Sequence, residues 1–548
     1  MGIKQNIAPQ KEDYEMKNYN TFGVMIDMSR NAVMSLDGLR RFFPLLKKMG
    51  YNCVFLYTED TYEVDGEPYF GYMRGRYSKA ELKAIDDLGA SMGIEVIPCI
   101  QTLAHLTAAT RWGKFPTDMG DVLLTDDERS YEFINHMFAS LSECFRTRRI
   151  HIGMDEAFNL GRGKHLDIHG YEPVNTIIKR HLARVCEIAK QYDYEVMIWS
   201  DMFFRSWNNG KYVIPKCEIP KEVVEALPRD VIPVFWEYWH TKQSDYADMF
   251  ENHKQLSKNT WFAGGAWSWI GMIPSNRYTL KTMLPALDAC REKKVKNVFF
   301  TMWGDNGGEC SHFSQLPSLF YLAEYAKGNT DEELIKAKFK KMFGIDYDEF
   351  MEIDMPNHIV EYISYPKNPA KYMLLSDYFN DFLDYSVTLG AGEKFGEISK
   401  KLSATAKKTR RYGYVFDAAA KLCDVLEIKY ELGLRTRRAY EAGDKDALRQ
   451  MAEKDYPEVI KRLHIFVKAF EKQWMTDNKP HGFEVQDRRI GGVIRRTEAC
   501  RARILAYVNG KIDRIEELDE ALLPFGGGEP GYSLSFNYAQ NAAAVNLS

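Results

Sequence analysis

Two carboxylates stand side by side in Arg149-Ile-His-Ile-Gly-Met-Asp-Glu-Ala-Phe158, behind a β-branched run and with a His and a Gly just upstream. Asp155 and Glu156 are residue types that move protons and stabilise positive charge at a reacting carbon. Two carboxylates are the minimum set for glycoside hydrolysis, but the usual arrangement places them on opposite sides of the scissile bond. Sequence neighbours are badly placed for that. The chemistry still works if one of the two protonates the leaving oxygen and then deprotonates water while the other orients a nucleophile that the substrate supplies. Taken alone, the pair also reads as an acidic helix start after a strand.

The elements around the pair decide between these readings. Short apolar runs alternate with longer amphipathic ones: strands are expected at Thr21–Met28, Cys53–Tyr57, Ile94–Ile100, the Arg149 run, Glu195–Trp199, Val231–Trp236, Thr260–Ala266 and Lys296–Met302. Helices are expected at Leu36–Met49, with Pro44 as an irregularity, and at Ser78–Met92, Asp127–Phe145, Val174–Tyr192, Lys221–Leu227 and Leu280–Lys293. Eight strand-helix units predict an α/β fold, a (β/α)8 barrel over residues 21–328 after a polar lead at 1–20. A doubly wound open sheet is the alternative, weakened because no Gly-x-Gly-x-x-Gly follows the first strand. Helical periodicity dominates residues 329–523, which predicts a C-terminal all-helical domain, followed by a Gly-rich tail at 524–548.

In such a barrel the chemistry gathers where strands end. Strand 1 runs into Arg30, strand 2 into Glu59 and Asp60, strand 3 into Gln101 with His105 beyond it, and strand 4 into Asp155-Glu156 with His151 behind them. Strands 5 to 8 end in Trp199, Trp236, Trp267 and Trp303; Tyr238, Asp305 and Glu309 follow in the adjoining loops. A single Trp at a strand end is ordinary core, but four at the same topological place converge on one mouth. Flat aromatic faces among carboxylates suit a sugar ring, whose C–H faces pack on indoles while its hydroxyls reach charged partners. A phosphate-bearing substrate would instead call for glycine-rich loops or several basic strand ends.

Composition narrows the setting. A net charge of -4 gives no electrostatic reason for nucleic acid or an anionic membrane as partner. No apolar run approaches the ~20 residues of a membrane-spanning helix. Met1–Met16 lacks the apolar core of a signal peptide, and the nine scattered cysteines show no Cys-x-x-Cys, so a cytoplasmic protein with reduced thiols is expected, without zinc or another cofactor.

The stretch His151-x-Gly-Met-Asp-Glu156 resembles the His-x-Gly-Gly-Asp-Glu pattern of glycoside hydrolase family 20, the β-N-acetylhexosaminidases, with Met154 in place of the second Gly. Asp27-x-Ser-Arg30 is similar to the strand-1 segment of that family, whose Arg binds hydroxyls of the terminal sugar. The resemblance implies a retaining, substrate-assisted exo-hydrolase of terminal GlcNAc or GalNAc, with Glu156 as acid/base and Asp155 holding the acetamido group. It further implies that His105 and His151 are the family's histidines, that Trp199, Trp267 and Trp303 enclose the N-acetyl group, that Tyr238 bonds its oxygen, and that Asp305, or Glu309, binds hydroxyls. With Leu160-Gly-Arg-Gly-Lys164 and Gly482-Phe-Glu-Val-Gln-Asp487, the chain resembles the shorter bacterial branch, a barrel plus helical domain that is commonly a homodimer.

Other readings stay open on residues alone. A chitinase would need an Asp-x-x-Asp-x-Asp-x-Glu strand, which is missing. A metal-dependent sugar isomerase could draw ligands from His151, Asp155, Glu156, His165 or His169, although Gly161, Gly163 and Gly170 argue against a helix presenting the last two histidines together. A non-catalytic sugar-binding barrel is the third. Loss of activity in EDTA with rescue by a divalent ion is the result expected of the isomerase.

Overall fold

The computed structural model describes residues 16–523 except 17, 270, 306, 360–368 and 382–383; the polar lead up to residue 15 and the Gly-rich tail from 524 lie outside the described residues. Eight parallel strands close into a barrel in chain order. They are β1 (Thr21–Asp27), β2 (Cys53–Tyr57), β3 (Glu95–Cys99), β4 (Arg149–His151), β5 (Glu195–Trp199), β6 (Ile232–Trp236), β7 (Trp261–Gly265) and β8 (Asn297–Met302). Closure runs through β1 and β8, registered from Thr21 on Asn297 to Ile26 on Met302. A closed parallel barrel is covered by helices outside and filled by side chains inside, which is why β1 is buried at every position.

The helical ring follows from local signals. Ser35 caps the helix Leu36–Met49, and Gly50 ends it in the left-handed region; the helix passes through Pro44 without interruption. Ser78 and Glu81 form a capping box at the start of Lys79–Ser91. Some boundaries differ from the expected ones. The helix before β8 begins earlier, at Asn276, and carries Pro285 inside it. The segment near Lys221 makes only one turn, Lys221–Val224. β4 stops at His151, four residues before Asp155.

After β8 the described residues form helices joined by loops, with no further strand and one isolated bridge, between Met34 and Asn478; the long helices are Ala391–Lys408, Gly413–Glu441, Tyr456–Asp477 and Phe483–Val508. Two polar clusters join this region to the barrel. Asp477 accepts from Ser311 at 2.5 Å, Tyr414 at 2.6 Å and Arg41 at 2.8 Å. Glu309, in the loop after β8, faces Lys371 at 2.6 Å and Arg489 at 2.9 Å, with Glu309 and Lys371 both buried.

Removing one member of a buried ion pair exposes the other to an uncompensated environment, at about 3–5 kcal/mol, whereas an exposed pair contributes about 0–1 kcal/mol. Glu309→Ala is therefore expected to lower the denaturation midpoint strongly and Asp37→Ala, which removes the exposed partner of Arg40, hardly at all. Equal small effects in urea unfolding would show that the Glu309 cluster does not hold the helices to the barrel.

Candidate active site

The strand ends open into a cavity of about 460 Å³ lined by Arg30, Tyr57, His105, Asp155, Glu156, Trp199, Trp236, Tyr238, Trp239, Trp269, Trp303 and Asp305. Adjacent residues of an extended strand point to opposite faces. Asp155 and Glu156 nevertheless both reach this cavity, because the chain leaves β4 through a run of left-handed residues: Gly153 at φ 73°, Met154 at 69° and Glu156 at 50°. The turn is held from three sides. Gln101 accepts the Met154 amide N–H at 3.1 Å, His151 Nδ1 accepts that of Gly153 at 3.1 Å, and Asp201 accepts that of Glu156 at 3.1 Å. The backbone at Met154 accounts for the glycine found there in the family pattern, since only glycine adopts φ > 0 without strain.

The same groups set the charges. Gln101 Nε2 donates to Asp155 Oδ1 at 2.7 Å and to the Tyr57 hydroxyl at 3.0 Å. His105 Nε2 lies 3.3 Å from Asp155 Oδ2 and 3.9 Å from Glu156 Oε2, off line for a hydrogen bond, so the contact is electrostatic. Burial opposes the charge on Asp155, but His105 and the Gln101 hydrogen bond outweigh it and hold the carboxyl below its usual range. Burial also opposes the His105 cation, yet Asp155 and then Glu59 raise its pKa to about 10. Glu156 moves the other way: burial, then the neighbouring Asp155 charge, raise its carboxyl.

The aromatic wall is continuous. Trp199 and Trp303 lie 6.1 Å apart, and Trp303 Nε1 donates to the Tyr238 hydroxyl at 3.0 Å. Tyr57 meets Trp303 edge-on at 4.7 Å. Tyr238 and Trp236 stack at 5.3 Å.

Of the residues singled out from the sequence, Arg30, His105, Asp155, Glu156, Trp199, Trp236, Tyr238, Trp303 and Asp305 share this cavity. The others stand behind it. Glu59 pairs with Arg30 at 3.1 Å and Asp60 with Arg74 at 3.1 Å. His151 is fully buried, its pKa pushed down to about 3 by burial, so it is a neutral acceptor under the turn. Trp267 stacks beneath Trp269 at 4.1 Å and donates to the Tyr238 carbonyl at 3.1 Å. Glu309 faces the helical region, as described above. Sequence reasoning missed Tyr57, Trp239 and Trp269 as lining residues. The last two stand in the loops after β6 and β7, three residues past Trp236 and four past Gly265.

The histidines of the isomerase reading do meet. A short helix, Lys164–His169, does form, and it brings His165 and His169 within 4.7 Å of each other beside Asp126. Arg180 already binds both Asp126 oxygens at 2.8 and 2.6 Å, and His165 Nε2 lies 2.9 Å from Glu172, so these polar groups are matched without a metal. None of the three lines the cavity that holds Asp155 and Glu156.

The family model for the glycosyl hydrolase family 20 catalytic domain matches residues 42–249, the span that contains Asp155 and Glu156, and the model for the Glycoside Hydrolase 20C C-terminal domain matches residues 348–534. The chain belongs to glycoside hydrolase family 20. Among curated relatives it is 24% identical to Hexosaminidase D of Homo sapiens over 222 residues, 38% of this chain and 43% of the relative. To Hexosaminidase D of Bos taurus it is 24% identical over 217 residues, 36% of this chain and 58% of the relative. The chain thus spans about half the length of these relatives. A solved exo-β-N-acetylglucosaminidase from Vibrio harveyi, in complex with N-acetylglucosamine, is similar with a TM-score of 0.46 at 14% identity, over 61% of this chain and 58% of that one.

A Cβ on Gly153 would lie 2.0 Å from Gln101 Oε1 and 2.8 Å from the Ile100 carbonyl. Gly153→Ala is expected to displace Gln101 from Asp155, costing about 1–3 kcal/mol of stability and at least about tenfold in turnover. Urea melts and single-turnover rates check both. An active, fully stable variant would show that the turn is not what aims the carboxylates.

Proposed function

We propose that the protein is an exo-acting β-N-acetylhexosaminidase that removes terminal, non-reducing β-linked GlcNAc, and GalNAc where the O4 surroundings admit it, with retention of configuration. The observation that carries this reading is the contact of one histidine, His105, with both carboxylates. It supports a geometry in which Asp155 and Glu156 approach the sugar from one side, neither acting as the opposed partner of the other.

Chemistry follows from that placement. The carbonyl oxygen of the 2-acetamido group attacks the anomeric carbon as the glycosidic C–O bond breaks, and Glu156 gives its proton to the departing oxygen. The ionised Asp155 lies against the acetamido N–H and stabilises the positive charge of the resulting oxazolinium ring. Glu156 then takes a proton from water, whose oxygen displaces the acetamido oxygen from the anomeric carbon. Two inversions restore the β configuration. The pKa directions support these roles, with the anion lowered and the proton donor raised. Tyr238 presents its hydroxyl to the acetamido oxygen, Trp199 and Trp303 enclose the acetamido group, and Arg30 and Asp305 take sugar hydroxyls. Glu59, Asp60, His151 and Trp267 support that shell from behind.

The reading extends to setting. The barrel, residues 21–328, is the catalytic domain and residues 329–523 form a helical domain. The protein works in the cytoplasm, a location supported by nine free thiols, and as a homodimer, as the resemblance to the shorter branch suggests. Its partners are glycans rather than nucleic acid or membrane; no helix among the described residues is long and apolar enough to cross a membrane.

Asp155→Asn is expected to lower kcat by about 10²–10³, and Glu156→Gln by about 10²–10⁴ with sugar leaving groups. The profile of kcat/KM against pH is expected to be a bell. Its acid limb, where Asp155 gains a proton, lies below the usual carboxylate range; its alkaline limb, where Glu156 loses one, lies above it, and Glu156→Gln abolishes that limb. Unchanged rates in either variant, or an alkaline limb that survives in Glu156→Gln, would contradict the assignment.

A further inference from the structure

One large side chain beside the catalytic pair has no place in the steps above. Phe158 is two residues beyond Glu156 and 59% exposed, although the chain buries most of its aromatic rings. Its backbone is tied to that of the proton donor, since the Phe158 amide donates to the Glu156 carbonyl at 2.6 Å. Its ring is not loose. The Arg205 guanidinium lies 5.4 Å from the Phe158 centroid and, on its other contacts, 5.5 Å from Tyr212 and 5.8 Å from Trp236.

Arg205 in turn is committed elsewhere. Its Nε donates to Asp201 at 3.2 Å and its Nη1 to the Gly210 carbonyl at 2.9 Å, while Nη2 stands 3.9 Å from Glu156 Oε1. A guanidinium so engaged does not need Phe158 as a partner for its charge; it is a fixed backing for the ring and stands beside Glu156 as well. Trp236, which shares this arginine, lines the cavity and passes the aromatic edge on to Trp239 at 5.9 Å, itself 37% exposed.

The reaction dictates what lies there. This step rests on the proposed hydrolase reading. Glu156 must reach the glycosidic oxygen, so the first ring of the leaving group begins where Glu156 stands. Arg30, on the strand-1 side, lies against the β8 loop that carries Asp305: a Cβ on Gly304 would be 3.4 Å from Arg30 Cβ. That pole suits the hydroxyls of the terminal sugar, which leaves the Glu156 edge to the departing group. We propose that Phe158, backed by Arg205, is the platform for the leaving group, and that the leaving group it is built for is a sugar ring stacked by its C–H face. The substrate is then an oligosaccharide, and Phe158 is a specificity-determining residue rather than a catalytic one.

The test compares a ligand that crosses the platform with one that stops short of it. N,N′-diacetylchitobiose crosses it, and a thiazoline analogue of the cyclised sugar fills only the inner pocket. Phe158→Ala is expected to lower kcat/KM for the disaccharide about tenfold, chiefly through KM, and to leave the inhibition constant of the thiazoline unchanged. Phe158→Tyr is expected to retain both. Equal loss with both ligands would overturn the proposal, because it would make Phe158 a support for Glu156; no loss with the disaccharide would overturn it as well. A wild-type protein that turns over no β-N-acetylhexosaminide and does not bind the thiazoline would instead overturn the hydrolase reading itself, and the platform with it.

Discussion

The structure depends on a backbone constraint: two carboxylates that are neighbours in the chain must enter one pocket from one side. An extended strand cannot do this, since its side chains alternate. The barrel solves the problem by ending β4 at His151 and turning the next residues through the left-handed region. Each non-glycine residue in that region costs about 1–2 kcal/mol, and both Met154 and Glu156 carry it. Burying the Met154 side chain, 1% exposed, stabilises by about 1.5–3 kcal/mol and so offsets its own strain. Glu156 has no such return, which leaves its conformation to the Asp201 hydrogen bond and the packing of Ala157 behind it. Strain held at one residue by its surroundings is what pre-organisation consists of.

Once both carboxylates share a pocket their charges interact, and the surroundings separate their roles. His105, itself at φ 56°, faces Asp155 more closely than Glu156, and Gln101 adds a hydrogen bond to Asp155 alone. The nearer cation makes Asp155 the standing anion, and that anion in turn helps keep the proton on Glu156. Gln101 couples this division to the turn, because one amide side chain binds both the Met154 N–H and the Asp155 carboxylate.

The barrel was legible because strand and helix periods differ and recur eight times, and because the tryptophans fall where strands end. What the residue pattern could not show was depth. Trp267 and Trp269 are equivalent by type, and only the course of the chain after Gly265 puts the second in front of the first. Glu309 reads as one more carboxylate past a strand until Lys371 and Arg489, far along the chain, arrive against it. His151 and Asp60 carry polar types that suggest contact with a ligand, yet they hold the turn and a loop arginine. Gly161 and Gly163 argued against a helix at His165, but Asp118 accepts the amide N–H groups of Gly161, Gly163 and His165 and shapes the entry to it. At position 154 the φ explains the family's glycine, and burial of the Met154 side chain is what offsets the strain of a larger residue there.

The central claim is that the substrate's own acetamido oxygen is the nucleophile, placed by Asp155. The direct measurement is kcat/KM for a series of aryl β-glucosaminides whose N-acyl group carries none, one, two or three fluorines. Fluorine withdraws electrons from the carbonyl oxygen and leaves the rest of the sugar unchanged. If that oxygen attacks the anomeric carbon, the rate falls steeply at each step of the series. A rate indifferent to fluorination, together with a sugar covalently trapped on Asp155, would contradict the account.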